Sequence, residues 1–90
     1  MMKFLYFSAP WCGPCRMLGP TMDKVKAEGI TVDKINIDDD SSQAAVSNYG
    51  IRSVPTVILV DGTGKEFART VGAQSLNHYI EQYKNFTEDV

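Results

Sequence analysis

Apolar residues fill the chain from Met2 to Phe7 with only Lys3 interrupting, and the run closes at Ser8. A run this short and dense marks a strand buried on both faces. Pro10 separates it from a helical stretch between Gly13 and about Glu28. There Leu18, Met22 and Val25 recur at i, i+4 and i+7, and Gly29 supplies the stop. Pro20 lies inside this stretch, where a missing backbone donor and crowding of the preceding turn predict a kink. Residues 31–37 alternate, with Val32, Ile35 and Ile37 apolar and Asp33, Lys34 and Asn36 polar, as in a strand with one irregular step. A short helix is expected from about Ser41 to Tyr49, capped by Asp40 or Ser41 and closed by Gly50. Pro55 to Val60 is β-rich, Asp61-Gly62-Thr63-Gly64 reads as a turn, and Lys65 to Val71 as the returning arm of a hairpin. Gly72 breaks that arm. Ser75 is placed to cap a last helix with Leu76, Ile80 and Tyr83 on one face.

The predicted order is β-α-β-α-β-β-α, an α/β arrangement. The first two strands, joined through a helix, should run parallel with a right-handed crossover, and the last two should pair as a hairpin. The result is a mixed sheet with helices on both faces. The 90 residues suffice for one domain, residues 1–90, with a modest core.

Charge narrows the possible partners. The net charge is -2 with no basic stripe, so nothing points to nucleic acid. No apolar stretch approaches the roughly 20 residues that span a membrane. The N-terminal run superficially resembles a signal peptide, but it stops at Ser8 and no small-residue cleavage site follows. The expected setting is therefore cytoplasmic, and a monomer is expected.

Both cysteines of the chain lie in Trp11-Cys12-Gly13-Pro14-Cys15, between the first strand and the first helix. A bridge across so small a loop restrains the unfolded chain little, so stapling the fold explains it poorly. Zinc needs about four ligands, and the chain offers two cysteines and a distant histidine. Redox chemistry fits better. A free cysteine, with a pKa near ~8.5, is only about 3% thiolate at neutral pH, and the thiolate is the nucleophile. Cys12 falls at a helix start, where unpaired N–H groups and a partial positive charge favour the anion. Cys15 lies one turn in and should be the less exposed. Cys12 is thus the expected nucleophile, forming a mixed disulfide with a substrate, and Cys15 the resolving thiol. Gly13 leaves room for an incoming chain, Pro14 suits a first helical turn, and Trp11 is a flat apolar neighbour for the sulfur.

These residues resemble the thioredoxin family. Trp11-Cys12-Gly13-Pro14-Cys15 matches its active-site motif at every position, and Pro20 matches the proline that kinks its active-site helix. Lys34-Ile35-Asn36-Ile37-Asp38 is similar to its next strand. Tyr49-Gly50-Ile51-Arg52-Ser53-Val54-Pro55-Thr56 looks like the segment leading to its cis-proline, and Val71-Gly72-Ala73 like the loop completing its substrate groove. The resemblance implies a thioredoxin fold with four strands ordered second-first-third-fourth. It implies a cis peptide before Pro55, which would face the cysteines, and a Val54 backbone offered to an extended substrate. Trp11, Gly13, Pro14, Ile37, Val54, Gly72 and Ala73 would form the apolar docking surface. It further implies protein disulfide reduction with no cofactor or metal beyond the Cys12–Cys15 dithiol. The partners would be disulfide-bearing proteins and an electron donor of the thioredoxin-reductase type.

The sequence departs from the family in three places. It starts directly at the motif-bearing strand, without the usual preceding strand and helix, so residues 31–37 become an edge whose Asp33, Lys34 and Asn36 suit exposure. Tyr6 stands where the family usually carries a buried aspartate that assists proton transfer at the second thiol. A phenol is a poor base at neutral pH, though it can donate a hydrogen bond to a thiolate. Lys34, the usual neighbour of that aspartate, is freed for another partner such as Asp38. Ser8 replaces a second tryptophan found in many relatives.

The remaining candidates have plainer readings. His78 is expected to be a solvated helix residue, Asp38-Asp39-Asp40 a turn with a cap, and Tyr79, Tyr83 and Phe86 packing side chains. Two rivals to disulfide reduction stand: a glutaredoxin-like reductant driven by glutathione, and a non-catalytic module that docks through the apolar surface around the motif.

Overall fold

The computed structural model describes residues 1–87. Four strands, β1 (Lys3–Ser8), β2 (Val32–Asn36), β3 (Thr56–Val60) and β4 (Glu66–Val71), alternate with helices α1 (Gly13–Ala27), α2 (Gln43–Asn48) and α3 (Leu76–Thr87). The sheet order is β2-β1-β3-β4. β1 pairs parallel with β2, Phe4 opposite Val32, and antiparallel with β3, Lys3 opposite Val60. β3 and β4 form the expected hairpin, with a register shift between Leu59 and Val60. The fold class, strand order and helices on both faces agree with the sequence reading.

Period-2 geometry divides the two central strands between two cores. Phe4 and Tyr6 of β1, with Val57 and Leu59 of β3, face Leu18, Met22 and Val25 of α1 and Tyr79 of α3. Leu5 and Phe7, with Ile58 and Val60, face the other way, toward Ala45, Val46 and Tyr49 at α2. Every residue of β3 is buried, and all of β1 except Lys3. Phe4 is fully enclosed and meets the Tyr79 ring edge-on, centroids 6.0 Å apart. The edge strand β2 is exposed at Asp33 and Lys34, and Lys3 reaches across to Asp33 at 2.7 Å.

Three local expectations are corrected. Neither Asp40 nor Ser41 caps the second helix. Both lie within a 3-10 turn, Asp40–Ser42, so neither keeps the extended backbone that a cap requires. The Gln43 amide donates instead to the carbonyls of Ile37 and Asp39. His78 is half-buried rather than solvated: its Nε2 lies 2.9 Å from the Thr70 hydroxyl, which also accepts from Gln82, and so it ties α3 to β4. Lys34 makes no ion pair among the described residues, and Asp38 is engaged elsewhere. α1 runs from Gly13 to Ala27 as one helix with Pro20 inside it.

Phe4→Ala should leave a cavity between both helices and the sheet and cost about 3–5 kcal/mol. Urea unfolding followed by circular dichroism measures this. A loss below ~1 kcal/mol contradicts the central packing role given to Phe4.

Candidate active site

β1 delivers the chain to the C-terminal edge of the sheet, where crevices form in open α/β folds. The loop after Ser8 turns there, with the Cys12 N–H bonded to the Ala9 carbonyl at 3.2 Å. Cys12 is the N-cap of α1, with extended backbone (φ -88°, ψ 112°). Its sulfur accepts the N–H of Cys15 at 3.2 Å, taking the place of the hydroxyl or carboxylate that caps most helices. Pro14 lies in the first turn, where its missing N–H leaves no donor unpaired.

Cys12 and Cys15 form a disulfide, their Cα atoms 5.2 Å apart. Contrary to the sequence expectation, the two are equally enclosed, each 4% exposed. Ala9 shares their cluster, and Ile37 and Val54 pack against it. The Val54–Pro55 peptide bond is cis, and the Val54 carbonyl lies 3.7 Å from Cys12 Sγ. Gly72 donates its N–H to the Pro55 carbonyl at 2.9 Å, which ties the loop after β4 to this segment. Its φ of +88° is one that side-chain-bearing residues rarely adopt. Ala73 follows it, exposed. Gly13 and Pro14 are exposed on the helix start, and a Cβ on Gly13 would meet nothing within 4 Å. Trp11 is 64% exposed beside the pair. Ile37 and Val54 thus pack against the disulfide, and Gly72 is tied to the neighbouring Pro55.

One residue at the site was read differently from sequence. Asp38 accepts the Trp11 indole N–H at 3.0 Å and so fixes the ring's orientation. Read as part of an acidic turn, it gave no sign of this. The signal was the parallel pairing of Ser8 with Asn36, which puts the ends of β1 and β2 side by side.

Tyr6 is buried on the α1 side of β1. With the cysteines joined as a disulfide, its hydroxyl donates to the Cys15 carbonyl at 2.8 Å. Burial pushes its phenol above the ordinary tyrosine range, with the charge of Asp23 adding to the rise. Tyr6 is therefore a proton donor at neutral pH and takes no proton from a thiol.

The thioredoxin family model matches residues 2–85, nearly all of this geometry. The chain belongs to the thioredoxin family. It is 39% identical over 85 residues to the thioredoxin of Haemophilus influenzae, the match covering 88% of this chain and 77% of that protein. It is 43% identical over 83 residues to the chloroplastic M-type thioredoxin of Zea mays, covering 86% of this chain and 48% of that one, so it spans about half of the maize relative's length. Among solved structures, a mutant thioredoxin from Halobacterium salinarum superposes with a TM-score of 0.84 at 33% identity, covering 96% of this chain and 74% of that chain.

Thioredoxins are protein disulfide oxidoreductases with a redox-active cysteine pair, and here the Cys12–Cys15 pair supports thiol–disulfide exchange. The glutaredoxin-like and non-catalytic docking alternatives are not favoured. Thioredoxins need no cofactor beyond their own disulfide. Among the described residues no cluster of three or more His, Cys, Asp or Glu side chains is arranged to hold a metal, and no helix is long and apolar enough to cross a membrane.

Stability should fall as pH rises past ~10. The unfolded Tyr6 ionises near ~10 while the folded phenol, raised by burial, keeps its proton. The stability is therefore whole below ~pH 10 and is lost as pH climbs toward the folded value. Tyr79, also raised by burial, adds to this slope. Tyr6→Phe should cost about 1 kcal/mol at neutral pH and flatten the alkaline decline, read from urea midpoints between ~pH 8 and ~11. An unchanged decline would remove Tyr6 as its source.

Proposed function

We propose that this chain is a protein disulfide reductase with Cys12 as the nucleophile and Cys15 as the resolving thiol. The observation that carries the reading is the Cys15 N–H aimed at Cys12 Sγ at 3.2 Å, since a donor there favours a sulfur anion. Reduced Cys12 attacks a substrate disulfide, forms a mixed disulfide and releases one substrate thiolate. Cys15, once deprotonated, attacks Cys12 Sγ and releases the second thiolate, leaving the Cys12–Cys15 disulfide. An electron donor of the thioredoxin-reductase type returns two electrons.

The substrate enters extended along Val54, with its backbone paired to that residue and its side chains on Trp11, Ile37, Gly72 and Ala73. The half-buried positions of Ile37 and Val54 against the disulfide, and the bond from Gly72 to Pro55, support this docking surface. Pro55 holds the Val54 carbonyl toward Cys12, and Gly13 and Pro14 leave the approach open. Substrates are disulfide-bearing proteins, and the chain acts as a single 1–90 domain and a monomer. We assign it to the cytoplasm, where a reducing pool regenerates the dithiol; its named relatives include both bacterial and chloroplastic thioredoxins.

Insulin reduction with dithiothreitol as electron source tests the roles. Wild type should accelerate precipitation, Cys12→Ser should lose the acceleration, and Cys15→Ser should accumulate a mixed disulfide visible by mass spectrometry. Equal rates for wild type and Cys12→Ser would falsify the reading. A second test addresses Tyr6. Tyr6→Asp should speed the resolving step near neutral pH and introduce a new inflection in its pH–rate profile, because a carboxylate accepts the proton that a phenol does not. A superimposable profile counts against any part for Tyr6 in that step.

A further inference from the structure

A cavity of about 230 Å³ opens beside the second cysteine, where the ends of β1 and β2 meet the first turn of α1. Tyr6, Ser8, Cys15, Arg16, Lys34 and Asn36 line it. Its two charged side chains are both cations, and among the described residues no carboxylate lines it. Asp23, whose charge acts on Tyr6, lines the neighbouring hollow together with Lys26.

The wall is apolar over most of its area, with Ala9 and Pro10 in it, and its polar side chains carry unspent donors. Arg16 carries five N–H groups, and one nitrogen, Nη2, is bonded to the Pro10 carbonyl at 3.1 Å. Lys34 is in no ion pair among the described residues. Asn36 uses its carbonyl oxygen to accept the Asp38 N–H, so its amide hydrogens stay free. Guanidinium and ammonium groups around a small space are the usual recognition chemistry for phosphate and carboxylate oxygens. The volume suits an anion of a few heavy atoms with some water: a cavity of ~150 Å³ holds benzene, and drug-sized pockets begin near ~300 Å³.

The second exchange step requires a proton acceptor that this wall lacks. Arg16 and Lys34 carry donors and no acceptor, and Tyr6 is kept protonated by burial and spends its hydrogen on the Cys15 carbonyl. We propose that the cavity binds a small oxyanion, hydrogen phosphate or bicarbonate, which accepts the proton of the Cys15 thiol when that residue attacks the mixed disulfide. The inference rests on Cys15 being the resolving thiol. Hydrogen phosphate becomes dihydrogen phosphate, the Cys15–Cys12 sulfur bond forms, and the Cys12–substrate sulfur bond breaks with its electron pair leaving on the substrate sulfur. The departing thiolate then takes a proton from dihydrogen phosphate or from water. The anion is therefore restored or exchanged and is not consumed.

Single-turnover reaction of the reduced protein with a chromogenic aromatic disulfide separates the steps, because Cys12 releases the first coloured thiolate and Cys15 the second. At about pH 7, with ionic strength held constant by potassium chloride, phosphate should raise the second phase saturably, by about tenfold, below the roughly 10²–10⁴ of a fixed side-chain base. Bicarbonate should do the same. Sulfate, an oxyanion that accepts no proton at this pH, should compete with phosphate and give no acceleration. Lys34→Gln and Arg16→Gln should each remove the saturable component, whereas Lys26→Gln, which takes a cation from the neighbouring hollow, should keep it. In parallel, phosphate should shift the backbone amide resonances of Arg16 and Lys34 with the same midpoint. Absence of those shifts overturns the site, as does acceleration that is linear in phosphate and equal in Lys34→Gln. Acceleration by sulfate overturns the base role. Release of only one coloured equivalent, with the resonance shifts intact, strikes instead at the resolving role of Cys15 and takes the base role with it.

Discussion

The site is organised by one backbone donor pointed at one sulfur. The first N–H groups of any α-helix lack intrahelical partners, and most helices meet them with a hydroxyl, a carboxylate or water. Here the Cys15 N–H meets Cys12 Sγ at 3.2 Å. Negative charge carried on Cys12 Sγ would meet a donor already aimed at it and the positive end of the helix dipole. The groups that stabilise it are therefore fixed before the reaction and need no reorganisation when charge develops.

Aiming that donor requires the rest of the fold. β1 and β3 are buried on both faces, so their positions are set by packing from two cores at once. α1 is held against the sheet by Leu18, Met22 and Val25, which fixes the direction of its first turn. Groups from separate segments then close around the pair, Ile37 just after β2 and Val54 before β3, while Gly72 after β4 is bonded back to Pro55. The Trp11 ring is tethered by Asp38 from the neighbouring strand end. A shift of one residue in the β1–β2 register would turn each β2 side chain to the opposite face and part Trp11 from Asp38.

Tyr6 governs the surroundings of the second cysteine. Its hydroxyl anchors the Cys15 carbonyl, so it contributes to positioning the second cysteine and adds no charge beneath it. The positive groups next to it, Lys34 and Arg16, are left facing a hollow with no acidic side chain on its wall among the described residues. One residue in a core position thus bears on both the hydrogen bonding near the second cysteine and the chemistry of the space beside it.

Much of the architecture was legible because its causes are local. The doubly apolar strand, the Leu18–Met22–Val25 stripe, the Asp61-Gly62-Thr63-Gly64 turn and the Ser75 cap each follow from short-range periodicity and turn chemistry, and the His78 N–H does reach the Ser75 hydroxyl. The cysteine pair was legible for the same reason, since its strand, cap and helix are contiguous in sequence. The misread features depend on segments far apart in the chain. Asp38 is 27 positions from Trp11, Thr70 lies across an element boundary from His78, and the Tyr6 hydroxyl chooses the Cys15 carbonyl because α1 packs on that face of β1. The equal enclosure of the two cysteines arises likewise from Ile37 and Val54, which no local pattern sets against them. The sequence by itself determined which elements form and where the reactive sulfurs lie along the chain, because hydrophobic period and capping act within a few residues. The tertiary structure alone decided which polar groups meet, because hydrogen bonds between distant side chains depend on register and helix placement that only the packed core fixes.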